Sequence, residues 1–187
     1  MADGGQRPLD ASTVRRFEAL ALPQADAAYN LALRLTRQAE AAEDVVHDAF
    51  LRALTGFERF RGGDARAWIL RIVRNRAYDW LRERKLKRTE RMSGDDPDDP
   101  DWDFHDPDQE SPEQVLVRKG QTASVHAMLD ALPPRLREVL VLREMEELSY
   151  REIAEITDAP IGTVMSRLAR ARTMAAERLQ ATQEAVR

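Results

Sequence analysis

"LSYREIAEITDAPIGTVMSRLARAR", from Leu148 to Arg172, is the stretch that decides the fold. Ser149 followed three residues later by Glu152 is a capping box, the reciprocal pair that satisfies free amides at a helix start. A short helix therefore begins there, with Ile153 and Ile156 turned inward. "TDAP" supplies turn chemistry, and Pro160 stands at or next to the first position of a second helix, where its missing amide costs nothing. In that second helix Ile161, Val164, Leu168 and Ala171 recur at helical spacing and are expected to pack on the first. Thr163, Ser166, Arg167 and Arg170 then share the outer face, hydroxyls and guanidiniums near the end that enters the major groove in a helix-turn-helix. An ordinary helical hairpin with a solvated basic face fits the same pattern. The preceding "ALPPRLREVLVLREMEEL" favours DNA binding, because Leu136, Val139 and Leu140 make a supporting helix that starts after two prolines.

A DNA-binding chain would be expected to be basic, yet this one carries a formal charge of -4 over 187 residues. The charge is segregated. "SGDDPDDPDWDFHDPDQESPE" (93–113) is dense in carboxylates and prolines and has no lysine or arginine, so it reads as an acidic linker that cannot order itself by burial. "RIVRNRAYDWLRERKLKR" (71–88) and the stretch from Arg167 onward hold much of the base. The expected organisation is all-α: an unstructured start (1–13), a first helical domain (14–92), the linker, and a second helical domain (114–187). Without cysteine, and with three scattered histidines, the chain offers no disulfide, no dedicated metal site and no cofactor motif. Neither a signal-type apolar core nor a membrane-length apolar run is present, so a cytoplasmic protein is expected.

In the first domain, "AEDVVHDAFLRALTGF" places Val46, Ala49, Phe50, Ala53, Leu54 and Phe57 on an apolar stripe and leaves Glu43, Asp44, His47 and Asp48 outside. The helix after "RFRGGDARAW" presents Arg71, Arg74, Asn75, Tyr78 and Arg82 on one broad face, with Ile69, Ile72, Val73 and Trp80 as core candidates. Arginines interleaved with an aromatic ring suit a single strand, whose backbone they follow and whose bases can stack. Trp68 and Trp80 are read as core residues rather than stacking platforms.

"LPPRLREVLVLREMEELSYREIAEITDAPIGTVMSRLARAR" resembles region four of the extracytoplasmic-function sigma factors of bacterial RNA polymerase, and "AEDVVHDAFLRAL" with "WILRIVRNRAYDWLR" resembles their region two, in the expected order. The resemblance implies a promoter-specificity subunit without catalytic residues, a region-two bundle and a region-four helix-turn-helix. It implies core polymerase (clamp and flap regions), promoter DNA and an anti-sigma factor as partners. Asp44, His47 and Asp48 would meet the polymerase. Phe60, Arg61, Arg71, Arg74, Asn75 and Tyr78 would read and open the minus-ten element, and Thr163, Ser166, Arg167 and Arg170 the minus-thirty-five element, with Arg143 on a phosphate. By the same resemblance the acidic linker, with Trp102 and Phe104, would run through the basic RNA channel of the polymerase; by composition alone it is a solvated tether. His47 stands where relatives commonly carry glutamine, Met165 and Ala169 where many carry a basic and a bulky residue, and the "FRGGDARAW" loop is a residue shorter than in some of them. The competing reading is a stand-alone helix-turn-helix regulator. An enzyme has no supporting motif, since Asp44 and Asp48 lack convergent partners.

Overall fold

The computed structural model describes residues 10–89 and 121–185. The linker, the first nine residues and the last two lie outside them. Among the described residues every regular element is helical, with no strand. The first half holds α1 (Ala11–Ala21), α2 (Ala25–Thr36), α3 (Ala39–Gly56) and α4 (Ala65–Thr89). The second holds α5 (Gln121–Asp130), α6 (Pro134–Glu144), α7 (Tyr150–Thr157) and α8 (Ile161–Ala185).

Alanine sets the packing of the first half. Ala28, Leu31, Ala32 and Leu35 of α2 meet Ala42, Val45, Ala49 and Ala53 of α3 and Leu70, Val73 and Ala77 of α4, all buried. Small side chains at these positions let three helices pack closely on one another. The α3 stripe is rotated slightly from the expected one: Val45 is buried, while Val46, Phe50 and Leu54 flank it half-buried. Phe17 of α1 closes the end of the bundle edge-on against Phe57, 5.5 Å between centroids. Helix α2 ends at Arg37, whose φ of 61° places it in the left-handed conformation that turns the chain into α3.

Helix α6 is the centre of the second half. Pro134 starts it, and every residue from Leu136 to Leu142 is buried, including Arg137 and Glu138. The sequence singles out only Leu136, Val139 and Leu140 there; α6 is enclosed because α8 packs on one side and α2 of the other half on the other. Arg137 acts as a staple. It donates hydrogen bonds to the carbonyls of Leu129 (2.9 Å), Asp130 (2.9 Å) and Leu132 (2.7 Å), and across to the carbonyl of Arg34 in α2 (2.8 Å). Burial pulls its pKa down to about 10, with nearby Arg37 adding to the shift, so it remains cationic at neutral pH. The two halves therefore share one continuous core, α2 against α6 and α4 against α7. A linker alone does not predict this contact.

Candidate nucleic-acid interface

The helix-turn-helix is built as its sequence directs. The Ser149 hydroxyl accepts the Glu152 amide at 3.3 Å, and the Glu152 carboxylate accepts the Ser149 amide at 2.6 Å. Those hydrogen bonds from Ser149 hold the Glu152 carboxyl below its usual range. Asp158 ends α7 in the left-handed conformation (φ 52°), and the Pro160 carbonyl accepts the amides of Thr163 and Val164, starting α8. Val164, Leu168 and Ala171 are fully buried, locking the rotation of α8. Ile161 departs from its expected inward place and is 45% exposed at the first position of α8. Ser166 and Arg170 face solvent, and Thr163 and Arg167 are half-exposed beside them. Met165 is open on the same surface. Arg143 is held within the domain, donating to the Leu148 carbonyl at 2.7 Å with its guanidinium 5.2 Å from the centre of the Tyr150 ring.

The second basic surface begins at the loop before α4. Gly62 and Gly63 take φ of 89° and 107°, values that side chains rarely adopt, and Asp64 then accepts the Arg66 amide at 2.8 Å to start the helix. Phe60 stacks on Trp68, 4.7 Å between centroids, so Trp68 supports the loop from beneath. Arg61 is exposed at the tip. An open cleft of about 360 Å³ lies here, lined by Arg59, Phe60, Arg61, Trp68, Arg71 and, from α7, Glu155.

Along α4 the predicted face is divided. Asn75 and Arg71 remain exposed, with Arg74 donating to the Asn75 side-chain oxygen at 3.2 Å. Arg74 and Tyr78 turn into the junction between the halves, the Arg74 guanidinium 4.5 Å from the Tyr78 ring centre. Arg74 pairs with Glu138 of α6 at 3.1 Å, and Arg66 with Glu146 at 2.6 Å. Burial of Tyr78 raises its pKa well above the usual value, and Glu138 adds to the shift. Arg71 is 3.8 Å from Asp158. Sequence reasoning named neither Arg66, Glu138 nor Glu146. The signal for Glu138 was a carboxylate set between Leu136 and Val139 on an apolar helix.

On α3, Glu43, Asp44 and His47 are exposed, whereas Asp48 is tied into the bundle by Arg52 and Arg76. Burial pushes the Asp48 carboxyl up, but those two guanidiniums outweigh it and hold it below its usual range. Among the described residues no group of acidic and histidine side chains could hold a metal ion, and no helix is long and apolar enough to cross a membrane.

Comparison with known proteins agrees with this arrangement. A family model described as Sigma-70 region 2 matches residues 24–87, and one described as Sigma-70, region 4 matches residues 122–174. The RNA polymerase sigma-H factor of Pseudomonas aeruginosa is 36% identical over 172 residues, covering 89% of this chain and 87% of that one. The ECF RNA polymerase sigma-E factor of Haemophilus influenzae is 36% identical over 139 residues, covering 73% and 74%. Among solved structures, the sigma factor RpoE of Bartonella quintana, in complex with the anti-sigma factor NepR, superposes with a TM-score of 0.71 at 26% identity, over 89% of this chain and 98% of that one. CnrH, in complex with the cytosolic domain of CnrY, gives 0.62 at 25% identity over 90% of each. With both characteristic regions matched and the helix-turn-helix in place, the chain belongs to the sigma-70 family, in its extracytoplasmic-function group of transcription-initiation factors of bacterial RNA polymerase.

Proposed function

We propose that this sigma factor divides promoter reading between its two basic surfaces and acts as a specificity subunit with no catalysis of its own. The observation that carries the reading is the outward face of α8: Ser166 and Arg170 are open while Val164, Leu168 and Ala171 fix the helix from behind. That face enters the major groove of the minus-thirty-five element, where arginine reads guanine bidentately and the hydroxyls of Thr163 and Ser166 set register. Arg143, already oriented by Leu148 and Tyr150, approaches a phosphate from the edge. On the first half, the cleft around Phe60 and Arg61 takes a base of the non-template minus-ten strand, and the exposed Arg71 and Asn75 follow that strand as it separates.

Asp44, His47 and Asp48 on α3 meet the polymerase clamp, with Asp48 already oriented by its ion pairs. An apolar groove between α5, α6 and α8, with Val125 and Met145 exposed along it, is the surface offered to the polymerase flap. An anti-sigma factor controls the chain, a reading supported by the similar sigma factor RpoE, whose structure is a complex with the anti-sigma factor NepR. The protein works in the cytoplasm, where the polymerase is.

Two substitutions separate the surfaces. Arg170→Ala weakens recognition of the upstream element by about 1–3 kcal/mol, the worth of a bidentate base contact. Asn75→Ala leaves upstream binding intact and impairs strand opening. Polymerase-recruitment assays paired with permanganate footprinting distinguish the two. Equal loss of both steps in both variants, with reduced helicity, would mean that the residues are structural.

A further inference from the structure

Among the described residues of α8 the exposed large apolar side chains both lie in its first two turns: Ile161 is 45% and Met165 52% exposed. One turn further on, Ala169 is exposed as well, so the row taken at every fourth residue from Ile161 is apolar and open. Beside it runs a second open row, Gly162, Ser166 and Arg170. A Cβ built at Gly162 would meet nothing within 4 Å, so the two rows make one unobstructed surface at the start of the helix. On the flank of Met165, the Arg172 guanidinium is drawn off to Glu144 of α6 at 2.7 Å.

The rows offer a base pair different things. Ser166 donates its hydroxyl hydrogen to the Thr163 carbonyl at 3.0 Å, so it turns lone pairs outward. Arg170 offers paired donors, the match for O6 and N7 of guanine. Met165 has no donor, and its thioether is a weak acceptor on a flexible apolar stem. In the major groove the apolar feature of a base edge is the C5 methyl of thymine. Contact between that methyl and Met165 takes both out of water, whereas a phosphate or a polar base edge placed there would lose hydration without gaining a partner.

We propose that Met165, flanked by Ile161, is a specificity-determining residue that reads the methyl group of a thymine in the minus-thirty-five element. This rests on the assignment of α8 to that element. The thymine lies within about three base pairs of the guanine read by Arg170, because the step from Met165 to Arg170 rises about 7.5 Å along the helix against about 3.4 Å per base step.

The test uses the full-length chain bound to core polymerase, as wild type, Met165→Ala, Met165→Leu and Arg170→Ala. Each complex selects from a library of duplexes randomised across both promoter elements. Every thymine in the upstream element that wild type selects is then replaced, one at a time, by deoxyuridine, which lacks only the methyl. Competition binding gives the ratio of affinities for each thymine and uracil pair of duplexes. Wild type should lose roughly three- to five-fold at one thymine inside the window, the worth of one buried methyl. Met165→Ala should bind that pair of duplexes equally, and Met165→Leu should keep the discrimination. Arg170→Ala should keep it too, while losing the preference for guanine.

Discrimination that persists in Met165→Ala would belong to the stiffness of the DNA and would overturn the methyl reading. A selected element with no methyl-sensitive thymine in the window would overturn it as well. In either case the Arg170→Ala selection shows how far the failure reaches. A changed upstream sequence leaves α8 as the reading helix and strikes only Met165; an unchanged one strikes the assignment of α8 together with it.

Discussion

Ser149 and Glu152 show how much a single pair can specify. Their two reciprocal hydrogen bonds end the turn after Leu148 and set the start of α7, and with it the angle at which α8 leaves the turn. Ser149→Ala should cost about 1 kcal/mol of stability, the usual worth of a helix cap, read as a lower urea midpoint at unchanged slope. The carboxyl of Glu152 has its pKa lowered in the fold by Ser149. Its contribution is therefore fully present above the ordinary glutamate pKa and fades as pH falls through the lower, folded value. Acid titration of wild type against Glu152→Gln should show the two curves converging only below pH about 4. This pair was legible from the sequence because capping is local: the residues that make it are three apart. Arg74 and Glu138, 64 residues apart, carried no such signal.

Among the elements, the periodicity of α7 and α8 was readable since each buries a single face, and Val164, Leu168 and Ala171 lie where helical spacing puts them. Ile161 does not: it stands exposed at the first position of α8. On α3 the spacing was right and the phase slightly off: with Val45 and Val46 adjacent, only the position of α2 decides that Val45 goes in. Helix α6 buries more than Leu136, Val139 and Leu140 because it has neighbours on both sides, so its charged Arg137 and Glu138 are enclosed with its leucines. Arg137→Met keeps the bulk but removes the donor to four carbonyls, one of them in α2. It should cost about 3–5 kcal/mol, detectable as a large drop in unfolding midpoint. In the loop before α4, Gly62→Ala should cost about 1–2 kcal/mol, since the φ of 89° disfavours any Cβ even though nothing crowds it. Calorimetry on that variant reads the loss.

For the whole molecule, the charge sum of -4 hides two basic surfaces, and the structure adds that one of them is answered by carboxylates of the same chain. The acidic run 93–113 lies outside the described residues, and its role is a separate proposal. Replacing Asp95, Asp96, Asp98, Asp99, Asp101 and Asp103 with asparagine and serine at constant length should weaken binding to core polymerase, make it less salt-sensitive and alter the yield of short abortive transcripts. A tether that matters only through its length would leave all three unchanged, which core-binding curves at two salt concentrations and a transcript-length gel would reveal.

In a family of initiation factors a small reading surface on each half suffices: neither half needs to hold a promoter alone when the polymerase holds both. The decisive experiment is transcription from the DNA upstream of the protein's own gene, using purified core polymerase with and without the full-length chain, alongside binding of the same duplex by the chain alone. Discrete initiation that requires both proteins, with weak binding by the chain by itself, is the expected result. Tight, sequence-specific binding by the isolated chain, unchanged when core polymerase is added, would contradict it and identify an independent regulator.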